Sequence, residues 1–248
     1  MKKKFRVMPV ILLFILLASV AVFIWLVWQE MRNELEIKDM QKAAKEFVEE
    51  PAPGEDGTDS LFDWDGLRAA GSDVVGWLKF DEPAVIDYPI VQGDSNQTYL
   101  KHDWQGNYLN AGAIFLNKDN SPDFTDMNSI LYGHRMINGS MFGSLKKYGS
   151  QEFLDSYPYF YIYTPDGKKR TYEIFAYAQV TDGSGTYMQM FDTAEARMAY
   201  YEDIKNRAIT KRDMELDEFD TTVTLSTCAS RGYYERMVII GKLIRIEV

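Results

Sequence analysis

One cysteine and two histidines limit the covalent chemistry open to this chain of 248 residues. Cys228 ends the strand-like run TTVTLSTC. Strand alternation puts Thr222, Thr224, Ser226 and Cys228 on one face and Val223 and Leu225 on the other. The thiol is therefore expected on the more polar face, near a strand end. A lone thiol is more often a buried structural residue than a reactive one. A reactive thiol needs a cation or base beside it. His134 lies in ILYGHRMINGSMFG, after a strand and before an Asn138-Gly139 turn. Its competitor is His102, in YLKHDW, and for both the plain alternative is a loop histidine. Arg236 opens the last long strand, eight residues after Cys228, and Arg231 is the alternative for any role given to it. Cysteine, histidine and arginine at strand ends suggest thiol acyl transfer. The thiolate is the nucleophile, and a guanidinium steadies negative charge developing on a carbonyl oxygen.

Other chemistries have weaker footing. A single cysteine makes no intrachain disulfide, and with two histidines it is a poor basis for a closed zinc site. Glu215, Asp217, Glu218 and Asp220 form a run, not a calcium-loop spacing, and read as a solvated face. No glycine-rich phosphate loop is present. The reading is no metal and no cofactor. A formal charge of −10 argues against nucleic acid as a partner.

The elements that must position these groups are mostly strands. Residues 74–80, 85–92, 112–117, 129–134, 159–164, 170–180, 221–228 and 236–248 are β-branched and aromatic between turn residues. PDGKK after Thr164 reads as a hairpin turn. Residues 63–70 read as a short helix. Residues 191–208 read as a longer one, with Asp192 or Thr193 as N-cap and Met198, Tyr201, Ile204 and Ala208 at helical spacing. A mostly-β domain with one late helical insertion suggests a closed or nearly closed barrel.

Residues 7–28 carry no charge, and 22 residues are enough to cross a bilayer as a helix. Trp25 and Trp28 sit at the far end, where interfacial aromatic rings belong. Lys2, Lys3, Lys4 and Arg6 precede the run and put residues 1–6 in the cytoplasm and the body outside. A cleaved signal peptide would have a shorter apolar core and a small-residue cleavage site. Residues 29–50 read as a solvated helical stalk with a loose stripe at Met31, Leu35, Ile37, Met40, Ala44 and Phe47–Val48, the alternative being a helix docked onto the body. The segment PAPGEDGTDS reads as a flexible linker. The expected division is a cytoplasmic tip at 1–6, an anchor at 7–28, stalk and linker at 29–58, and a catalytic domain at 59–248.

At the site residues the chain resembles the sortases, class B in particular. TLSTC followed by Arg236 is similar to the sortase segment around the nucleophile, and LYGHRMINGSMFGSLKKY to the class B segment carrying the catalytic histidine. DVVGWLKF, IDYPIVQG and NAGAIFL resemble class B segments in matching order, over residues 62–246. The resemblance implies an eight-stranded sortase β-barrel with N-terminal helices and a helix before the nucleophile strand. It implies a membrane-anchored transpeptidase. Cys228 would cleave a C-terminal sorting signal of a secreted protein after Thr, through a thioacyl-enzyme. The protein would pass to an amine of peptidoglycan or its precursor. His134 would act as general acid and then base, and Arg236 would bind the substrate carbonyl or oxyanion. Ser226 and Thr227 would line the groove beside the thiol, with Asn96, Leu100, Tyr187 and Met188 as further substrate contacts. The alternatives are a thiol hydrolase on the same site and a non-catalytic surface binding module.

Overall fold

The computed structural model describes residues 7–49, 61–84, 86–181, 183–227 and 235–248. Cys228, Arg231 and the expected linker at 51–60 lie outside the described residues. The strands are β1 (Val74–Phe80), β2 (Asp87–Val91), β3 (Ile114–Leu116), β4 (Asn128–Gly133), β5 (Tyr159–Tyr163), β6 (Lys169–Thr181), β7 (Ala208–Lys211), β8 (Thr222–Thr227) and β9 (Glu235–Glu247). Four α-helices join them: α1 (Val7–Lys45), α2 (Trp64–Ala70), α3 (Gln151–Ser156) and α4 (Ala194–Arg207).

The sheet runs β5-β1-β2-β3-β4-β8-β9-β6-β7, and β5 also pairs with β6. That extra pairing closes an eight-stranded barrel, as the alternating apolar runs imply. Strand β7 hangs on the outside of the ring. It pairs with Ala176–Ala178 of β6, beyond the Lys169–Glu173 stretch that pairs with β5. The sequence reading missed β7 because its residues ran on from a helical pattern. The tetrapeptide AITK is too short to show a period of its own.

A bulge in β6 between Ile174 and Ala176 divides the core. An extra residue there reverses which side chains face inward. Tyr172 and Ile174 before it, and Tyr177 after it, join the main core. Phe175, Ala176, Ala178 and Val180 turn to the other face and pack with Val238, Ile240 and the α4 residues Tyr200, Tyr201 and Ile204. Thr193 caps α4, accepting from the Ala196 amide at 3.1 Å. The expected stripe was partly misplaced: Arg197 and Tyr200 are buried, while Met198 is exposed and Ala208 opens β7.

The segment expected as a solvated stalk is not free of the body. Helix α1 continues without a break from the apolar run to Lys45, and Ile37, Met40 and Ala44 are buried in the main core. The Trp104 indole donates to the Met40 carbonyl at 3.4 Å. Lys45 pairs with Asp87 at 2.9 Å, and Phe47 meets the Trp104 ring edge-on. Intervals of three and four residues set these side chains on one helical face. The apolar stripe marked that face, but sequence alone did not show what covered it. Ile37→Ala is expected to cost about 2–4 kcal/mol, as for other buried isoleucines. Leu35→Ala, on the exposed face, is expected to stay within about 0.5 kcal/mol. Denaturant unfolding of the full chain in micelles separates the two.

Candidate active site

Strands β4 and β8 lie parallel, with Tyr132 opposite Ser226 and Gly133 opposite Thr227. His134 is the next residue after Gly133, and Cys228 is the next after Thr227. Every residue from Thr222 to Thr227 is buried. The alternation holds over that stretch. Val223 and Leu225 enter the main core, while the Thr222, Thr224 and Ser226 hydroxyls turn to polar partners. Tyr187 meets Ser226 and the α4 residue Tyr200 meets Thr224 on that polar face, so it is buried without being apolar.

His134 is partly buried, and its ring donates to the Leu100 carbonyl. Burial holds its pKa below the ordinary histidine value because the charged form loses solvation, and nearby Lys101 pushes the same way. The Leu100 hydrogen bond opposes them. The loop after it is closed by backbone bonds. The Phe142 amide donates to the His134 carbonyl at 2.9 Å and Gly139 to Met136 at 3.2 Å, with Gly139 at φ +90°. This is the expected Asn138-Gly139 turn. His102 is engaged elsewhere: its Nδ1 lies 2.7 Å from the Thr98 carbonyl.

The other expected site residues divide by what their side chains do. The Tyr187 hydroxyl lies 2.9 Å from Ser226 Oγ, and its ring stacks on Tyr132 with centroids 6.3 Å apart. Met188, next to it, is exposed. Leu100 meets His134 through its carbonyl, which depends on no side-chain type. Asn96 accepts from the Lys118 amide at 2.8 Å, tying its loop to the chain after β3. Thr227 spends its hydroxyl on both backbone groups of Met237, accepting from the amide at 3.1 Å and donating to the carbonyl at 3.3 Å. Arg236 is half-buried on β9 opposite Val180. Among the described residues no group of three or more His, Cys, Asp or Glu could hold a metal ion.

Two positions escaped the sequence reading. Tyr132 shares the His134 face by simple alternation along β4, so period two could have found it. Asn128, six residues before His134, gives no such signal, because an asparagine at a strand start reads as turn chemistry. It is fully buried. Its amide nitrogen donates to the Met188 carbonyl at 2.9 Å and the Thr186 carbonyl at 3.3 Å, straddling Tyr187. Its oxygen accepts from Thr224 at 2.9 Å and Thr222 at 3.3 Å. One side chain thus clamps β4, β8 and the segment carrying Tyr187. Asn128→Asp sets a carboxylate against two carbonyl oxygens. It is expected to lower stability by about 2 kcal/mol and to raise KM several-fold with a smaller effect on kcat. Thermal unfolding and steady-state kinetics on a peptide substrate check both.

A closed barrel in which the parallel strands β4 and β8 run up to His134 and to Thr227, the residue before Cys228 in sequence, invites comparison with known proteins. A family model for the sortase domain matches residues 81–244. The chain belongs to the sortase family. Sortase B of Listeria monocytogenes is 36% identical over 181 residues, 72% of each chain. Among solved structures, sortase B from Bacillus anthracis in complex with AAEK1 superposes with a TM-score of 0.76 at 30% identity, covering 87% of this chain and 99% of that one. A Streptococcus pyogenes class B sortase involved in pilus biogenesis gives 0.66 at 30% identity, covering 73% of this chain and 98% of that one. These relatives make the chain a class B sortase, a cysteine transpeptidase, on the expected barrel. The helix expected in the connection before residues 221–228 is α4.

Proposed function

We propose that this sortase cleaves a C-terminal sorting signal after Thr and transfers the released protein to an amine of the cell wall. The Cys228 thiolate attacks the Thr carbonyl carbon. The oxyanion of the tetrahedral intermediate takes hydrogen bonds from the Arg236 guanidinium. His134 protonates the departing nitrogen, the C–N bond breaks, and a thioester remains. An acceptor amine then attacks the thioester and gives a proton to His134. The thiolate leaves, and one amide bond has replaced another.

The observation that carries this reading is the β4–β8 pairing. Gly133 and Thr227 are register partners, and one peptide bond separates each from a proposed catalytic residue. Thr227 and Met237 are held together by two hydrogen bonds, and Arg236 directly precedes Met237. Tyr187, Ser226 and Tyr132 form one wall of the substrate groove, and Met188, Asn96, Leu100 and Thr227 flank it.

The apolar part of α1 anchors the enzyme, with residues 1–6 cytoplasmic, 7–28 in the bilayer and the catalytic domain outside. Its apolar window has a mean hydropathy of 3.2 and no buried residue. Incubation with a panel of sorting-signal peptides and an amine acceptor tests the reaction. Cleavage with amide formation supports it. Cleavage yielding acid alone, with amine present, favours the hydrolase reading. Folded protein with neither product and a thiol inert to alkylation favours a binding module.

A further inference from the structure

Helix α1 joins two kinds of surface without a break. Its first part is apolar on all sides and exposed, from Met8 to Trp28. Its last part is docked on the barrel. The docked face begins almost at once. Gln29 is half-buried, Asn33 Oδ1 is buried, and Ile37, Met40 and Ala44 follow in the core. Ile37 is only nine positions after Trp28, a rise of about 14 Å along an α-helix. Between them the helix carries its own support, with an Arg32–Glu36 pair at 3.2 Å, a Lys38–Glu34 pair at 2.6 Å and the Arg32 guanidinium over the Trp28 ring. No glycine or proline lies between Trp28 and Lys45 to bend it.

The docked end also reaches the site. Trp104, which donates to the Met40 carbonyl, is four residues from Leu100, whose carbonyl holds His134. A helix fixes two quantities at once, height at about 1.5 Å per residue and azimuth at about 100° per residue. We propose that α1 is a rigid mast that holds the active site at a set height and a set rotational phase above the lipid surface. A flexible tether would set neither.

Charge makes the mast necessary. With the four N-terminal bases set aside, 23 basic residues face 37 acidic ones, a balance of −14 beyond the anchor. Anionic headgroups repel such a body within a Debye length, about 8–10 Å at physiological salt. Electrostatics alone would swing a tethered barrel away from the surface, and the docked helix holds it there. This inference rests on the anchored topology proposed above, and it adds the geometry.

The test uses the full chain in lipid vesicles, with alanine insertions between Met31 and Arg32, upstream of Asn33 and of the core residues Ile37, Met40 and Ala44. For distances, single cysteines at Ile137→Cys and Phe219→Cys, both highly exposed, carry a donor dye in a Cys228→Ala background. The acceptor dye is at the lipid headgroups. Seven inserted alanines are expected to lift both labels by about 10 Å and return the body within about 20° of its starting azimuth. Two insertions turn it by about 200° and change the two distances unequally. In the active chain, transfer to an amine carried on a lipid headgroup is expected to fall about tenfold with two insertions and to recover partly with seven. Cleavage of a soluble peptide stays constant throughout. Distances that ignore insertion length, or lipid-amine transfer that ignores phase, overturn the mast. Loss of soluble-peptide cleavage in the parent chain would strike the transpeptidase reading instead and leave the distance arm intact.

Discussion

Cys228→Ala is expected to abolish both thioacyl formation and transfer, a loss of about 10⁴-fold or more, because no other thiol exists to replace the nucleophile. Mass spectrometry with a sorting-signal peptide reads the covalent intermediate directly, and residual full activity would remove Cys228 from the role. His134→Ala is expected to cost about 10²–10⁴-fold, the usual range for a lost acid–base group. His102→Ala is expected to leave activity near the parent level, since its ring is engaged with the Thr98 carbonyl and Tyr108. Loss at His102 equal to that at His134 would mean that the 98–102 segment, and not one imidazole, is what the reaction requires.

The His134 environment gives these experiments a pH signature. Its folded pKa lies below the ordinary histidine value of 6.5, because burial disfavours the imidazolium. In the window between the lowered value and 6.5, the unfolded chain binds a proton that the folded chain refuses. Stability attributable to this residue therefore rises with pH through that window and is flat above it. His134→Gln should remove that slope. The same burial leaves only a minor protonated fraction of His134 at neutral pH. Lys101→Glu exchanges a repelling charge for an attracting one, so the His134 titration should move upward in an NMR experiment.

The strands were legible because nearly every one alternates or runs apolar between turn residues, and the Pro165–Lys168 and Asn138-Gly139 turns carry their own chemistry. Gly167 and Gly139 both take the positive φ such turns need. Strand β7 was not legible, being four residues with no period of their own. The docked face of α1 was visible as a stripe at Ile37, Met40 and Ala44, but a stripe does not name its partner. At the site, sequence can point to a residue where chemistry demands a side chain, as in the role proposed for His134. It cannot where the fold uses a backbone group. Leu100 entered as a substrate contact, and what it offers His134 is a carbonyl any residue could provide. Asn128 was hidden for the opposite reason. The four hydrogen bonds of its side chain run to residues 58 to 96 positions away, a distance no local pattern spans.

Gly112→Ala carries that dependence on backbone into a second large expected effect. Gly112 lies at φ +60°, and a Cβ there would sit 2.3 Å from the Tyr99 carbonyl oxygen, 2.9 Å from that of Leu100 and 3.0 Å from the Leu100 carbonyl carbon. The left-handed conformation alone costs about 1–2 kcal/mol in a non-glycine residue. The contacts are with backbone, which cannot rotate aside, so the Tyr99–Leu100 peptide must move. A total loss of about 3 kcal/mol is expected, in the range of severe single-site changes. That peptide carries the acceptor for the His134 ring, so kcat should fall as well. The hydrogen bond to Leu100 raises the His134 pKa, so its loss should lower the titration midpoint further, a change that simple destabilisation would not produce. Gly106→Ala is the matched control. Gly106 has φ +86° with nothing within 4 Å of the added Cβ, so it takes the conformational cost without displacing the carbonyl. If both variants lose stability but only Gly112→Ala loses kcat and shifts His134, the histidine is held by the 99–100 backbone. If the two behave alike, the Leu100 carbonyl is not what positions it.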